Sequence, residues 1–432
     1  MVTKEARRGS MAPLKKLALF GLLLVFGLSF FGLVRNNTFW NSGDYSYLEQ
    51  AIEMDRSFGH VFTSVPFQPF QPFVKLVFFV EYSFFGLDAW KYYLFNVVVH
   101  TLNAFLVFFL VFTLLRDRAI AILSALLFVF AVGNYGKAVM VVSGISDLLI
   151  TLLTLSTLLL YFKNELEKGG RASSVWYIGS LVCFFLSLMT KATSFSILGC
   201  MFVFHVFFRS EINKRTWNRN FVTIALVAFA ALVIKLSVLP DVASQKDFVF
   251  GGFTFFRNIA SYVVRMIFPI HGSSLVTHTG PVVQFLYRVA TEIRVLTFLC
   301  IVSYSVFGFI FGNRTIRFFI AWTYITLFPF CFFKFPSDWL NIRHLYLVSV
   351  GFVMILSSAT VLASRLLYQK AWRRFLPYSL PLLFVLLSQF IVYHLDKKYE
   401  LTAQSPQIES LRQEFMEKYP QELGLDAPAQ RR

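Results

Sequence analysis

Apolar runs of about 20 residues recur along the whole chain, and they constrain its fold more than any other feature. Hydrophobic residues make up 57% of the 432 positions, and charged residues only 15%. A helix needs roughly 20 mostly apolar residues to cross a hydrocarbon core about 30 Å thick, and only helices and closed barrels satisfy their backbone polar groups in lipid. This composition excludes a soluble domain and predicts an all-α polytopic membrane protein.

About eleven runs qualify as transmembrane helices. They cover residues 15–34, 92–115, 119–134, 144–162, 174–190, 192–208, 220–238, 290–312, 316–333, 345–364 and 376–395. Lys and Arg are concentrated in every second connecting segment, beginning with the N-terminus, which places these segments in the cytoplasm. The net charge of +17 follows largely from this topology, so it does not indicate a nucleic-acid partner.

The topology divides the chain into a transmembrane domain, residues 1–395, and a short tail, residues 396–432. An odd number of spans places this tail on the exoplasmic side, with two long loops at residues 35–91 and 239–289. We expect the function on that side. The membrane itself is expected to be a bacterial inner membrane, with an organelle membrane as the alternative.

Each long loop contains an aromatic segment that is expected to lie at the membrane interface. In the first loop, a Pro-rich stretch ends any helix, and residues 73–87 then resume as a partly amphipathic interfacial helix. In the second loop, residues 253–270 carry two Arg side chains within an aromatic face. This second segment is predicted to be interfacial, re-entrant or a true span.

Polar side chains within the spans are few, and such groups are costly in lipid and often functional. Asn96, His100 and Asn103 share one face of the second span, which favours interhelical hydrogen bonds. Asp147 stands at the start of the fourth span, where it could cap the helix or favour the positive end of the helix dipole. Lys191 lies between the fifth and sixth spans and should emerge near the exoplasmic surface, either attracting a lipid phosphate or snorkelling.

Two further places in the exoplasmic segments carry candidate chemistry. Asp44 follows the first span and puts a possible general base at the membrane surface. The last exoplasmic turn contains Lys334, Arg343 and His344 among aromatic rings, and Arg suits forked contacts with phosphate. The same residues also occur as ordinary interfacial anchors.

Neither a metal site nor a cofactor is predicted. The four cysteines fall inside apolar runs without the spacing of metal ligands, so we interpret them as packing residues. Asp44 has no second acid beside it, whereas a divalent cation prefers several oxygen ligands.

The order of these motifs resembles the transmembrane part of the GT-C glycosyltransferases, in particular the membrane O-mannosyltransferases that carry TPR repeats. The resemblance covers residues 15–365. It rests on Asp44, on Pro69–Phe73, on Phe84–Trp90 followed by Asn96 and His100, on Gly144–Asp147, on Met189–Lys191 and on Arg343–Phe352.

This resemblance implies a GT-C-like bundle that takes a sugar from a polyprenyl-phosphate carrier. The sugar would be transferred, on the exoplasmic face, to a hydroxyl of a protein or lipid. Asp44 then corresponds to the family's general base. Arg343 and next Lys191, with His344 and Lys334 near them, would bind the departing lipid phosphate. Asn96, His100 and Asp147 are expected to be structural.

The chain also departs from that pattern. Related enzymes usually have acids at the positions of Lys137, Ala192 and Ile342, and Arg at the position of Ile145. Gly43 replaces one member of a paired acid, and the tail is too short for TPR repeats. The sequence therefore leaves two hypotheses: an active transferase, or a degenerate GT-C-like protein that holds a lipid or serves as a structural subunit of a membrane assembly with protein partners.

Overall fold

The computed structural model describes most of the chain and is helical throughout the part it describes. The described residues are 12–34, 38–39, 41–62, 70–131, 138–166, 171–210, 214–238, 254–267, 290–332, 342–367, 373–390 and 406–420. The helices are α1 (Pro13–Val34), α2 (Ser42–Arg56), α3 (Pro72–Phe85), α4 (Ala89–Leu115), α5 (Arg118–Phe130), α6 (Ile145–Leu166), α7 (Arg171–Thr190), α8 (Ser196–Phe208), α9 (Lys214–Val238), α10 (Thr254–Ile267), α11 (Ala290–Phe311), α12 (Arg314–Cys331), α13 (Leu345–Leu366), α14 (379–390) and α15 (Pro406–Lys418).

Every predicted span coincides with a helix, so the all-α polytopic fold predicted from the sequence is confirmed. Within the described part of the chain, five helical segments are long and apolar enough to cross a membrane. These segments are Ala89–Leu115, Val142–Leu166, Asn220–Val238, Arg294–Phe311 and Leu345–Leu366. Helices α5, α7 and α8 are apolar but shorter. Helix α8 begins late because residues Ala192–Phe195 form a 3-10 turn first.

The polar face of α4 joins three helices through hydrogen bonds. The imidazole Nδ1 of His100 lies 2.5 Å from the hydroxyl of Tyr346 on α13. Asn103 donates from Nδ2 to the same hydroxyl at 3.2 Å and to a main-chain carbonyl of α6 at 3.0 Å. Asn96 donates to a carbonyl just before α6 at 2.9 Å. The starts of α6 and α13 are thereby held against α4.

Helix α10 packs on α11 and α12, and its Asn258 donates from Nδ2 to the carbonyl of Cys331 at 3.0 Å. The described helix has 14 residues and extends about 21 Å at 1.5 Å per residue. The residues on both sides of it lie outside the described part of the chain, so the interfacial, re-entrant and spanning interpretations of this segment stay predictions.

Helices α2, α3 and α15 lie at one end of the bundle, where α6 and α13 begin and α7 ends; we call this the site end. Helix α15, in the short tail, docks on α2. The Phe415 and Tyr45 rings are 5.5 Å apart between centroids, and Lys418 Nζ lies 3.4 Å from Glu49 Oε1. The tail therefore contributes a packed helix beside the start of α2.

Candidate active site at one end of the bundle

Asp44 is placed by the capped start of α2. The carboxamide Oδ1 of Asn41 accepts the main-chain N–H of Asp44 at 3.0 Å, as an N-cap residue does. Asp44 thus stands in the first turn, where the helix dipole favours an anion. Its carboxylate accepts the N–H of Ser143 at 2.7 Å, and the side chain is fully buried. A backbone N–H directed at the carboxylate suits its ionised form.

The neighbouring Gly43 explains why a second acid is missing here. A Cβ at this position would lie 2.9 Å from Asn41 Oδ1 and 3.1 Å from Ser143 Oγ. A carboxylate side chain here would have to shift both groups. Asn41 and Ser143 are also the residues that form hydrogen bonds with Asp44. The local packing therefore favours glycine over a second acid at this position.

A second polar cluster lies one helical turn deeper along α6. Asp147 forms an ion pair with Lys191, and its Oδ2 lies 3.6 Å from Arg343 Nε. The Asp147 and Lys191 side chains are 6% and 15% exposed, and that of Arg343 is 35% exposed. The cluster joins α6, the end of α7 and the turn before α13. Its formal charge is +1, because two cations face one carboxylate.

The geometry adds partners that the sequence did not indicate. Asp147 lies in the first turn of α6, where the helix dipole favours an anion, and it also contacts Lys191 and Arg343 from neighbouring elements. The ammonium group of Lys191 is directed to Asp147, and its side chain is 15% exposed.

His344 lies next to these cations but does not add a charge to them. Its Nδ1 is 3.0 Å from the hydroxyl of Tyr262, and its ring stacks on Phe330 at 4.2 Å between centroids. Burial lowers the pKa of His344 well below its usual range, and the positive charges of Lys191 and Arg343 lower it further. The imidazole is therefore neutral near pH 7. Lys334, the other candidate phosphate ligand, lies outside the described residues.

Sequence reasoning missed Tyr47 and Gln71. Tyr47 lies one turn beyond Asp44 on α2, and its hydroxyl donates to Gln71 Oε1 at 2.7 Å. The Tyr47 ring stacks on Phe78 of α3 at 4.6 Å. Burial raises the pKa of Tyr47, while the charge of Arg343 lowers it and that of Asp147 raises it, so the hydroxyl is within electrostatic reach of the cluster. The signal that could have identified Tyr47 in the sequence was its spacing of three residues from Asp44.

An apolar cavity lies between α8 and α12. Its volume is about 450 Å³, and its lining residues are Phe195, Ser196, Gly199, Tyr324, Ile325, Phe328 and Pro329. The first of these residues follows Lys191 by four positions. A Cβ at Gly199 would lie 2.8 Å from Ile325 Cγ2, so glycine leaves room for the close contact of α8 with α12.

Among the described residues, no group of three or more His, Cys, Asp or Glu side chains is arranged to hold a metal ion. The described residues at the site end provide a buried carboxylate, a cluster of two cations with one acid, and hydroxyl and carboxamide groups.

Comparison with known proteins gives matches at the level of structure. No protein-family profile matches the sequence, and no curated protein sequence matches it. The fold is similar to the oligosaccharyltransferase of Archaeoglobus fulgidus tethered to an acceptor peptide with an NVT sequon. The TM-score is 0.54 at 13% identity, over 91% of this chain and 56% of that one.

A second similar structure is the oligosaccharyltransferase AglB of the same organism in complex with an inhibitory peptide and a dolichol-phosphate. Its TM-score is 0.50 at 13% identity, with 89% of this chain and 56% of that chain covered. The chain thus spans about half the length of these enzymes. At this level of identity the similarity shows a shared fold: the helical bundle of this chain is arranged as in part of these two structures.

Proposed function

We propose that this protein is a membrane glycosyltransferase that moves a sugar from a polyprenyl-phosphate carrier to a hydroxyl acceptor. The observation that carries the proposal is the arrangement at the site end. A buried carboxylate, Asp44, accepts the N–H of Ser143, which lies one helical turn before Asp147 of a cluster of net positive charge. An apolar cavity lies between α8 and α12, and α8 follows Lys191 in the chain. Base, phosphate ligand and lipid pocket are the three parts that such a reaction needs.

In the proposed reaction, Asp44 accepts the proton of the acceptor hydroxyl as the acceptor oxygen attacks the anomeric carbon of the sugar. The bond between that carbon and the phosphate oxygen breaks, and the electron pair leaves with the polyprenyl phosphate. Arg343 and Lys191 stabilise the negative charge that develops on this phosphate. The neutral His344 supports the cluster through Tyr262 and Phe330 and is not assigned a charge-stabilising role.

The donor lipid is proposed to enter with its phosphate at Lys191 and Arg343 and its first isoprenoid units in the cavity between α8 and α12. The AglB structure named above contains a dolichol-phosphate, which is a lipid of the proposed class. The basic loops predicted from the sequence orient the site end to the exoplasmic face. The acceptor is then an exoplasmic hydroxyl of a protein or a lipid.

A second candidate is a catalytically inactive GT-C-like protein that holds a lipid or joins a membrane assembly. Two observations favour it: Asp44 is fully buried, and Asp147 already neutralises one of the two candidate phosphate ligands. A lipid-holding protein would also bind the donor lipid, so sugar transfer is the property that separates the two candidates.

The test compares Asp44→Asn with wild type in lipid nanodiscs supplied with undecaprenyl-phosphate sugars and a membrane extract as acceptor. An Asn side chain can still accept the Ser143 N–H, so folding and donor binding are expected to persist. Sugar transfer should fall by about 10² to 10⁴, the range of a general base. Asp55→Asn, on the exposed side of the same helix, is the matched control. Equal transfer rates for the two variants would refute the proposal.

A further inference from the structure

Two polar side chains at the site end have no place in the mechanism above, Tyr47 and Gln71. We infer that they contact the transferred sugar and determine which donor sugar is accepted. This inference rests on the proposed function, because it assigns a sugar to the space between the base and the phosphate ligands.

The position of the sugar follows from the reaction. In a displacement at the anomeric carbon, the sugar ring lies between the acceptor oxygen and the departing phosphate. Asp44 marks the acceptor side, because a general base must be within hydrogen-bond reach of the proton it removes. Lys191 and Arg343 mark the phosphate side. Side chains located between these two points are the ones that the sugar meets.

The register of α2 and α6 is the basis for assigning Tyr47 to that intermediate position. The bond from the Ser143 N–H to the Asp44 carboxylate joins the start of α2 to the start of α6. Tyr47 lies one turn further along α2, and Asp147 lies one turn further along α6. Both Asp147 and Arg343 act electrostatically on the Tyr47 hydroxyl. The hydroxyl is thus on the helix of the base and within reach of the cations.

The chemistry of the pair suits a sugar. The Tyr47 hydroxyl donates to Gln71 Oε1 at 2.7 Å, which orients the Gln71 carboxamide. A phenolic oxygen accepts hydrogen bonds through its lone pairs, and a carboxamide nitrogen carries two N–H donors. Stacking on Phe78, which is fully buried, fixes the plane of the Tyr47 ring. An oriented acceptor and donors of this kind can distinguish the hydroxyl configurations of related sugars.

The competing explanation is that the bond from Tyr47 to Gln71 only fastens α2 to α3. The two explanations predict different affinities of the variants for a lipid that carries no sugar. A sugar contact affects binding of a sugar-bearing donor alone, whereas a loosened α2 affects every ligand of the site.

The experiment measures the affinity of purified protein in nanodiscs for two probes, undecaprenyl phosphate and undecaprenyl phosphate bearing glucose or mannose. Tyr47→Phe and Gln71→Ala are expected to weaken binding of the sugar-bearing lipids by roughly three- to tenfold, as for the loss of one neutral hydrogen bond. Their affinity for undecaprenyl phosphate should stay at the wild-type value. Tyr45→Phe, a conservative change on the same helix, should alter neither affinity, and Arg343→Gln should weaken both.

The outcomes separate this inference from the proposed function. Equal weakening of both lipids by Tyr47→Phe, or no weakening of either, would overturn the sugar contact and support helix fastening. A wild-type affinity that is indifferent to the sugar would overturn it as well. Failure of the wild type to bind either lipid would instead refute the proposed function. A changed preference between glucose and mannose donors in Tyr47→Phe would support the assignment directly.

Discussion

The charge balance around Asp147 gives the sharpest prediction about this protein. Asp147→Asn keeps the size of the side chain but leaves Lys191 and Arg343 without their carboxylate. Removing one partner of a buried ion pair costs about 3–5 kcal/mol. Lys191 is 15% exposed and Arg343 35% exposed, so water screens the second cation more than the first. We therefore expect the free energy of unfolding to fall by about 3 kcal/mol, the lower end of that range.

The assay is a denaturant titration in mixed micelles, followed by the fluorescence of the seven tryptophans. The double variant Asp147→Asn/Lys191→Met should recover part of the loss, because it removes the ammonium group left unpaired. Added undecaprenyl phosphate should stabilise Asp147→Asn more than wild type, since its phosphate supplies the missing negative charge. At a lipid concentration 100 times the Kd, this stabilisation is about 2.7 kcal/mol.

Two results would contradict this reasoning. Wild-type stability of Asp147→Asn would show that the carboxylate does not neutralise Lys191. A double variant less stable than the single one would show that Lys191 contributes through packing rather than through its charge. The lipid effect is a separate readout: if it is equal in wild type and Asp147→Asn, the phosphate does not bind at this cluster.

Three further predictions concern how the site is held. Gly199→Ala should lower the melting temperature because its Cβ would contact Ile325 at 2.8 Å, a cost of about 1–3 kcal/mol; adding Ile325→Ala should make the pair less destabilising than the sum of the single changes. Lys418→Glu replaces the ammonium group that lies 3.4 Å from Glu49 by a second acid, so limited proteolysis within α15 should accelerate, and Glu49→Lys in the same chain should restore protection. Tyr346→Phe removes the hydroxyl shared by an imidazole and a carboxamide of α4, which should cost about 1–3 kcal/mol in thermal unfolding; unchanged melting would mean that water replaces it.

Much of the fold was accessible from local sequence. The apolar runs located the helices because crossing a membrane depends on the length and hydrophobicity of one segment, independent of its neighbours. Asp44 was recognised as the candidate base because an acid directly after a span is rare and resembles a family motif. Its position in the first turn of α2 also has a local cause, because Asn41 caps that helix three residues earlier.

The partners of these residues could not be read from the sequence. Asp147 was expected to cap its helix or to favour the positive end of its dipole, and Lys191 to lie near the exoplasmic surface, because each was considered alone. The two pair with one another across 44 positions, and Arg343 joins them from the turn before α13.

Because such partners cannot be identified from the sequence, Tyr47 and Gln71 were overlooked. For the same reason, the packing of the tail helix α15 on α2 was not predicted. A hydrogen bond or an ion pair depends on the distance between two side chains, and that distance is set by how the helices pack. Local sequence was therefore enough to locate the membrane-spanning helices and several residues that could do chemistry. Helix α2 and the contacts among these residues follow from packing, because they depend on segments that are far apart in the chain.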